Sequence, residues 1–359
     1  MLTLEGKYGK DCKVFIDHVE DSALRTIHSI LDDEVSAGVP IRIMPDTHDG
    51  VDIVIGFTMP LTDRVKPNHI GVDIGCGVSC IEIPKIDQPL FVVDMLIREA
   101  VPMGFSHRET PMKIDGPILE SIERTCKKTD QDFAKVMRQI GTLGGGNHFI
   151  EIGRGDENDF LFIHSGSRNF GLQVCRHHSD KAKRQGSKYL FGSDIEDYIE
   201  DMKVAQAFSV LNRLSIGQCI LEALVVKAVD LYCDTVHNYI DFDRNIIRKG
   251  AVSANEGERL VIPMNMRDGV LLCTGKGNAD WNYSAPHGAG RVLARGEAKR
   301  KLDLDEFEKE MTGIYSTSVN RATLDESPMA YKSTEIIMEH IGDTVHIDQI
   351  VKPILNIKA

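Results

Sequence analysis

The segment Gly71-Val72-Asp73-Ile74-Gly75-Cys76-Gly77-Val78 places three glycines around two potential metal ligands and leads into an apolar run that ends at Ile83. Glycine allows backbone angles and close approaches that other residues resist, so this segment predicts a turn that presents Asp73 and Cys76 to an ion. A carboxylate is a hard ligand, and a thiolate is able to bridge two cations. A buried cysteine in a glycine-rich turn is an equally good interpretation of this segment taken alone.

Short runs rich in β-branched and aromatic residues lie on both sides of this segment and predict strands at 41–44, 51–57, 78–83 and 160–163. Two longer stretches predict helices, one from about Ser193 to Cys233 and one from Leu119 to Ile140. In the longer one, apolar residues recur every three positions, as expected of one buried helix face: Met202, Ala205, Phe208, Leu211 and Leu214. Because strands and helices are interspersed without regular βαβ alternation, we expect an α+β fold rather than a doubly wound sheet.

The chemically distinctive residues are scattered from position 46 to position 358, and no linker, repeat or low-complexity segment divides the 359 residues. These residues share a site only if distant parts of the chain converge. We therefore expect one compact domain over residues 1–359, with mixed sheets around a central cleft.

The composition indicates a cytoplasmic protein without a membrane segment. Hydrophobic residues make up 42% and charged residues 27%, and no apolar run approaches the roughly 18 to 20 residues that cross a bilayer. The N-terminus lacks a basic region followed by an apolar one, so no secretory signal is expected. The eight cysteines show no disulfide-scaffold spacing. The net charge of −12 disfavours a protein that coats nucleic acid, but it permits an enzyme with a local basic cleft.

Two further glycine-rich segments contain histidine. Gly144-Gly145-Gly146-Asn147-His148 offers an imidazole beside a carboxamide, and Glu151 follows three residues later. His164-Ser165-Gly166-Ser167-Arg168 follows an apolar strand, where ligands and phosphate contacts are frequent. Its small residues predict an anion-binding nest, and Arg168 offers a bidentate fork for phosphate.

The remaining segments are His237-Asn238 and His287-Gly288-Ala289-Gly290-Arg291. For His237 alone, a structural role is the better interpretation. A histidine framed by small residues, with an arginine four positions later, suits a nucleophile that attacks a phosphoryl group. Asp46, in Met44-Pro-Asp-Thr-His48, is a candidate to hold the ring in its attacking tautomer.

Six segments occur in an order that resembles the RtcB family of RNA-splicing ligases: MPDTHDG, GVDIGCGV, GTLGGGNHFIE, HSGSR, HN and HGAGR. The stretches 205–213, 248–253 and 328–332 are also similar to that family. The resemblance covers the chain from about residue 41 to its end. Pro263-Met-Asn-Met-Arg-Asp-Gly269 departs from the family pattern, which puts guanine contacts there in doubt.

The resemblance implies a site for two Mn²⁺ ions in the central cleft. Cys76 would bridge them, Asp73 and His148 would complete one site, and His164 and His237 would complete the other. His287 would become guanylylated, with Asp46 orienting it. The residues implied to surround the co-substrate GTP are Asn147, Glu151, Arg168, Asn238, Ser253, Gly288, Gly290, Arg291, Tyr331 and Lys358.

The implied reaction joins RNA 3′-phosphate or 2′,3′-cyclic phosphate ends to 5′-hydroxyl ends, in RNA repair or tRNA splicing. The expected partners are RNA and GTP, with an activating protein left open, and the expected state is a monomer. Zn²⁺ should bind a Cys/His site more tightly than Mn²⁺ and would then inhibit. Two alternatives remain: a two-metal phosphoesterase acting on RNA ends, and a non-enzymatic module that binds them. Neither needs the segment 287–291, so covalent labelling by GTP separates them from a ligase.

Overall fold

A computed structural model describes residues 1–359, and it shows a mixed α/β fold with several sheets, as the interspersed sequence pattern predicted. The strands are β1 Leu2–Leu4, β2 Cys12–Val14, β3 Ile41–His48, β4 Ile55–Pro60, β5 Arg64–Val65, β6 Gly77–Ile83, β7 Phe149–Arg154, β8 Asp159–Ser165, β9 Leu190–Phe191, β10 Asp230–Val236, β11 Asn238–Asp241, β12 Ile246–Lys249, β13 Ala251–Ser253, β14 Arg259–Asn265, β15 Gly269–Gly275, β16 Ser284–Pro286 and β17 Val345–Lys358. The α-helices are α1 Asp21–Leu31, α2 Leu90–Ala100, α3 Pro117–Lys128, α4 Phe133–Met137, α5 Arg168–Arg184, α6 Ser193–Leu224, α7 Arg295–Lys301, α8 Leu304–Glu310 and α9 Thr334–His340. Short 3-10 helices lie at Glu34–Ser36, Pro67–His69, Ala279–Trp281, Arg321–Glu326 and Pro328–Ala330.

Two large sheets dominate the structure. One has six strands in the order β1-β2-β3-β4-β12-β11, and only β2 and β3 run parallel in it. The other has seven antiparallel strands in the order β10-β6-β8-β7-β17-β15-β14. His237 is the single residue between β10 of one sheet and β11 of the other. The chain therefore passes from sheet to sheet at a predicted metal ligand.

Helix α6 connects the two largest hydrophobic cores. Tyr198, Met202 and Phe208 in its first half belong to a core shared with the six-stranded sheet. Ile216 and Ile220 in its second half belong to a core shared with the seven-stranded sheet. Because each half of this 32-residue helix packs into one of the two cores, the position of its middle turns is fixed relative to both sheets.

The predicted helix face on α6 is confirmed for four of its five residues and wrong for Leu214. Met202, Ala205 and Phe208 are fully buried, Leu211 is half-buried against the same core, and Leu214 is 39% exposed. A spacing of three falls short of the 3.6 residues of a helical turn, so five such positions drift around the helix. Burial continues instead at polar positions such as Asn212.

Three predicted boundaries also need correction. Helix α6 ends at Leu224, where Val225 adopts a left-handed backbone (φ 55°), and Cys233 lies in strand β10. The stretch 119–140 contains two helices, α3 and α4, because the chain turns at Asp130 (φ 54°). The predicted strand 51–57 begins only at Ile55.

None of the helices is both long enough and apolar enough to cross a membrane. All eight cysteines are free thiols, and six of them are buried.

Candidate active site

Four histidines from distant parts of the chain stand in a row between the two large sheets. The ring centroids of His148 and His164 are 5.2 Å apart, those of His164 and His237 are 5.1 Å apart, and those of His237 and His287 are 4.8 Å apart. Their sequence positions span 139 residues, so only tertiary folding brings them together. The order in space is the order in the sequence.

Cys76 lies against this row at the start of strand β6. Its Sγ is 3.5 Å from Nε2 of His148 and 3.3 Å from Nε2 of His164. The three ligand atoms lie within 4.8 Å of one another, and all three residues are buried. Thiolate and imidazole are ligands of Zn²⁺ and other transition-metal cations, so this cluster is able to hold a metal ion.

The orientation of His148 suits a cation in this cluster. Its Nδ1 donates to the carbonyl of Leu143 (2.9 Å), which fixes the ring with Nε2 facing the cluster. That Nε2 lies 3.0 Å from Oδ2 of Asp73 as well as close to the Cys76 sulfur. A cation at this point would contact nitrogen, oxygen and sulfur donor atoms together.

Protonation in the cluster also suits metal binding. Burial, together with the neighbouring imidazoles, holds the pKa of His164 and the pKa of His237 well below the usual range, so both rings are neutral ligands at physiological pH. Burial raises the pKa of Asp73, but contact with His148 outweighs it and keeps the carboxylate ionised. Burial and Asp73 raise the pKa of the Cys76 thiol far above its usual value in the metal-free protein. A bound cation reverses this preference and deprotonates a coordinating thiol.

Helix α6 holds the glycine-rich segments that carry these ligands. Asn212 accepts from the backbone N–H groups of Gly141 (2.8 Å) and Thr142 (3.2 Å) and donates to Ser165 Oγ (3.0 Å). Arg213 donates to the carbonyls of Gly75 (2.7 Å) and Ser165 (3.0 Å). Two adjacent buried residues of one helix therefore fix all three glycine-rich turns.

Glycine is required at two of these turns. Gly75 has a φ of 71°, and a Cβ there would lie 2.6 Å from Ser209 Oγ on α6. A Cβ on Gly166 would lie 2.2 Å from Oδ1 of Asp73. The segment 71–78 therefore needs its glycines for close packing around the ligands, as its sequence predicted.

His287 stands at the end of the row, and Asp46 lies behind it. Nδ1 of His287 donates to Oδ2 of Asp46 at 2.6 Å, and the same oxygen accepts the backbone N–H of His287 at 3.1 Å. Asp46 is completely buried, whereas 18% of the His287 side chain is exposed. A proton held on Nδ1 leaves the lone pair of a neutral ring on Nε2, the arrangement that a histidine nucleophile requires.

A cavity of about 820 Å³ opens onto both parts of the site. The predicted residues that line it are Asp73, Cys76, Asn147, Glu151, His164, His237, Asn238, His287, Gly288, Gly290, Arg291, Tyr331 and Lys358. Asp46 and His148 are buried directly behind this lining, in contact with His287 and Cys76. The cavity is large enough for a nucleotide beside the Cys/His cluster.

Comparison with known proteins agrees with this constellation. Residues 36–359 match the family model described as tRNA-splicing ligase RtcB. The chain belongs to the RtcB family. It is 27% identical to the RNA-splicing ligase RtcB of Escherichia coli K12 over 371 residues, which covers 89% of this chain and 90% of that protein. It is 26% identical to the tRNA-splicing ligase RtcB of Pyrobaculum aerophilum, with 83% of this chain and 82% of that protein covered.

Two residues that the RtcB resemblance assigned to the nucleotide do not line this cavity. Arg168 packs its guanidinium against Gly144 and donates to the carbonyl of Gly104 (3.3 Å), beneath the glycine-rich turn. Ser253 donates to Glu258 (2.6 Å) and lines a separate cavity of about 580 Å³. In this structure neither side chain reaches the nucleotide-sized space.

Sequence reasoning missed a carboxylate at the centre of the basic end of the cavity. Glu326 accepts from Arg291 (2.7 Å), Arg295 (2.6 Å), Tyr331 (2.9 Å) and Lys358 (2.7 Å). Burial raises the pKa of Glu326, but Lys358, Arg295 and Arg291 outweigh it, and the pKa falls to about 2. One anion therefore holds three cations at the cavity wall, and Arg291 keeps a buried Nη1 without a partner.

Other lining residues were also absent from the predicted set. Lys249 and Lys332 lie in segments that carried the RtcB resemblance, but only Lys249 lines the cavity. Glu20 and Ser22 line the cavity from residues before position 36, outside the stretch that the family model matches. No sequence motif identifies these two residues as part of the site.

Glu151 and Asn356 form a buried polar pair on adjacent strands. They are register partners on β7 and β17, and Asn356 Nδ2 donates to Oε2 of Glu151 at 2.7 Å. The other oxygen of each side chain, Oε1 of Glu151 and Oδ1 of Asn356, is buried without a partner. Both residues line the cavity, so these two unpaired oxygens lie in its wall.

We expect the nucleotide-free protein to lose stability through Glu151 as the pH rises from about 4.5 to about 8. Burial raises the pKa of Glu151 from 4.5 to about 8, and Asn356 and Lys358 only partly oppose this. A carboxyl whose pKa is raised by folding stabilises the protein fully below its unfolded pKa, and this contribution is lost progressively until the pH passes about 8. The Glu151→Gln variant cannot ionise, so relative to its difference at low pH it should gain up to about 5 kcal/mol over wild type by pH 9.

Thermal melts of both proteins between pH 5 and pH 9 measure this difference. The gap in melting temperature should widen steadily from about pH 5 and level off above about pH 8, and the exposed Glu256→Gln should track wild type throughout. A constant gap at every pH would show that ionisation of Glu151 is not its cause.

Proposed function

We propose that this chain is a GTP- and Mn²⁺-dependent RNA ligase. It joins RNA 3′-phosphate or 2′,3′-cyclic phosphate ends to 5′-hydroxyl ends through a guanylylated His287, in RNA repair or tRNA splicing. The observation that carries the proposal is the Asp46–His287 pair beside the Cys/His cluster in one nucleotide-sized cavity. Membership of the RtcB family supplies the substrate class.

The donor set suits two cations. Asp73, Cys76 and His148 would hold one Mn²⁺, and Cys76, His164 and His237 would hold the other, in a cleft of a single ligase domain over residues 1–359. Bound there, the cations would neutralise charge on the entering and leaving oxygens of the phosphoryl transfers.

In the first step, His287 Nε2 attacks the α-phosphorus of GTP. An N–P bond forms, and the bond to the bridging oxygen of pyrophosphate breaks. The Nδ1 proton stays in its hydrogen bond to Asp46, whose negative charge offsets the positive charge that develops on the ring. The protein thereby stores GMP on nitrogen as a labile phosphoramidate.

In the later steps GMP moves to the RNA and then leaves. Any cyclic phosphate is first opened to a 3′-phosphate, whose oxygen attacks the bound GMP phosphorus and restores free His287. The 5′-hydroxyl of the second RNA then attacks the activated 3′-phosphate, and GMP departs with the broken bond. Arg291 and Lys358, held by Glu326, would bind the anionic groups during these steps.

Intact-mass spectrometry after incubation with GTP and Mn²⁺ tests the proposal. We expect one added GMP per chain, located on His287 by peptide mapping. The His287→Gln variant should take up none. His346→Gln is the matched control, because His346 forms a similar pair with Asp348 (2.9 Å) but is 70% exposed and outside the cavity.

The same experiment separates a two-metal phosphoesterase from a ligase. A phosphoesterase would release phosphate from RNA 3′-phosphate ends without any adduct, and a binding module would do neither. Wild-type protein that stays unlabelled with GTP and Mn²⁺ present would refute the ligase proposal.

A further inference from the structure

Lys332 lies between the two segments that bear Asp46 and His287. Its Nζ donates to the backbone carbonyls of Pro45 (3.2 Å) and Thr47 (2.5 Å), the residues on either side of Asp46. Its own backbone N–H donates to the carbonyl of Gly290 (2.9 Å), in the loop that follows His287. One residue therefore ties the Asp46 strand to the His287 loop.

Asp46 needs such external support. Oδ2 of its carboxylate binds only His287, and Oδ1 is buried without any partner. No side chain other than His287 fixes the direction of this carboxylate. Its position consequently depends on the backbone at Pro45 and Thr47, whose carbonyls point to the Lys332 ammonium.

The two segments also touch directly at this point. A Cβ on Gly290, which has a φ of 74°, would lie 2.1 Å from the carbonyl oxygen of Asp46. With no side chain between the backbones, a shift of either segment moves the other. A small displacement of the strand would therefore reach the hydrogen bond between Asp46 and His287.

The charge of Lys332 is costly to keep in this place. The residue is 5% exposed and forms no ion pair, so its ammonium has lost water and gained mainly carbonyl oxygens. Burial lowers the pKa of Lys332, and the more distant carboxylates of Glu20 and Asp46 oppose this effect. Apolar side chains fill buried space at less cost than a charge, so a role in packing alone does not account for lysine here.

We propose that Lys332 is a positioning residue for guanylylation of His287. By holding the carbonyls of Pro45 and Thr47, it keeps the Asp46 carboxylate where that group selects the attacking tautomer. The inference rests on the proposed function of His287, and it predicts a defect in the attack step rather than in nucleotide binding.

The Lys332→Met variant tests this in single-turnover guanylylation at saturating GTP and Mn²⁺. We expect the rate constant to fall by about 10- to 100-fold, as for other residues that orient a catalytic group through a neighbour. The Kd for GTP, measured by equilibrium binding, should stay within about twofold, since Lys332 does not line the cavity. The control is Lys10→Met, which removes an exposed lysine that also donates to a carbonyl, that of Gly6 (2.6 Å).

A double-mutant cycle separates positioning from general stability. If Lys332 acts through Asp46, then adding Lys332→Met to an Asp46→Asn protein should change the rate by less than about twofold. The same loss in both backgrounds, or a wild-type rate for Lys332→Met alone, would overturn the proposal.

A proton NMR measurement keeps the test independent of ligase activity. The Nδ1–H of His287, in a 2.6 Å bond to a carboxylate, should give a downfield resonance that disappears in His287→Gln. Lys332→Met should shift or broaden this resonance in nucleotide-free protein. If that variant does not fold, Lys332→Arg replaces it, because the guanidinium keeps the charge but places its N–H donors differently. An unchanged resonance in a folded variant contradicts the positioning role, whereas an unlabelled wild type would contradict only the ligase function.

Discussion

The Cys76→Ala variant will not form the GMP adduct, with a loss of more than about 100-fold in the guanylylation rate, because removal of a ligand exceeds the 10- to 100-fold cost of removing its supporting contacts. The Cys76 sulfur is the one atom that lies close to both His148 Nε2 and His164 Nε2. Without it, the proposed bridge between two cations is gone, and only nitrogen and carboxylate donors remain.

Two measurements on this variant are informative together. Elemental analysis after dialysis against Mn²⁺ reports the bound metal, and radioactive GTP reports the adduct. We expect both to fall, while the melting temperature of the metal-free variant stays near that of metal-free wild type. Burial raises the pKa of the thiol in the metal-free protein, so Cys76 is there a neutral group whose loss disturbs little.

Cys80→Ala is the matched control for this prediction. Cys80 is also fully buried on strand β6, four residues further along, but it faces a hydrophobic cluster. Its truncation should cost some stability through the cavity it leaves, yet it should keep metal content and labelling within about twofold of wild type. Normal GTP labelling of Cys76→Ala, or equal losses of labelling in both variants, would contradict the proposed role of Cys76 as the bridging metal ligand.

The sequence pointed to the candidate ligands because their chemistry is rare and local. Cysteine, histidine and glycine in short segments such as 71–78 and 144–148 have few structural explanations when several occur together. The structure brings Cys76, His148 and His164 into one cluster and packs the ring of His237 against that of His164, which no single segment could have shown. The sequence does not give the order of these residues in space. That order depends on how helix α6 and the two sheets position the glycine-rich turns.

Glu326 shows what a sequence does not reveal. Glutamate is a common amino acid, and Glu326 lies outside every motif that the sequence showed. Its role becomes visible only in the structure, where Arg291, Arg295 and Lys358 donate hydrogen bonds to it. Arg168 shows the reverse case: a phosphate fork was expected, but a left-handed backbone (φ 56°) at the start of α5 turns its side chain beneath Gly144. Side-chain direction depends on such backbone angles, which spacing in the sequence does not encode.

The Asp46→Asn variant should reduce guanylylation by about 10³-fold or more, as the same exchange does in a catalytic triad where an aspartate orients a histidine. The 2.6 Å bond from Nδ1 of His287 to Oδ2 requires an acceptor at that place. A carboxamide is able to turn its NH₂ group toward the ring, which favours the tautomer with the proton on Nε2 and removes the nucleophilic lone pair. Even with its oxygen turned to the ring, it lacks the negative charge that offsets the developing imidazolium.

Metal binding should survive this exchange, and this distinguishes it from loss of Cys76. Asp46 forms hydrogen bonds with His287 but with none of the five proposed metal ligands, so Mn²⁺ content and GTP affinity should stay near wild type while the single-turnover rate falls. Asp197→Asn, which removes a carboxylate from a surface ion pair with Lys128, is the control and should leave the rate unchanged. If Asp46→Asn instead loses metal, the carboxylate supports the whole cleft rather than the nucleophile. If it labels at the wild-type rate, His287 does not attack through the tautomer that Asp46 selects, and the chemistry must begin elsewhere.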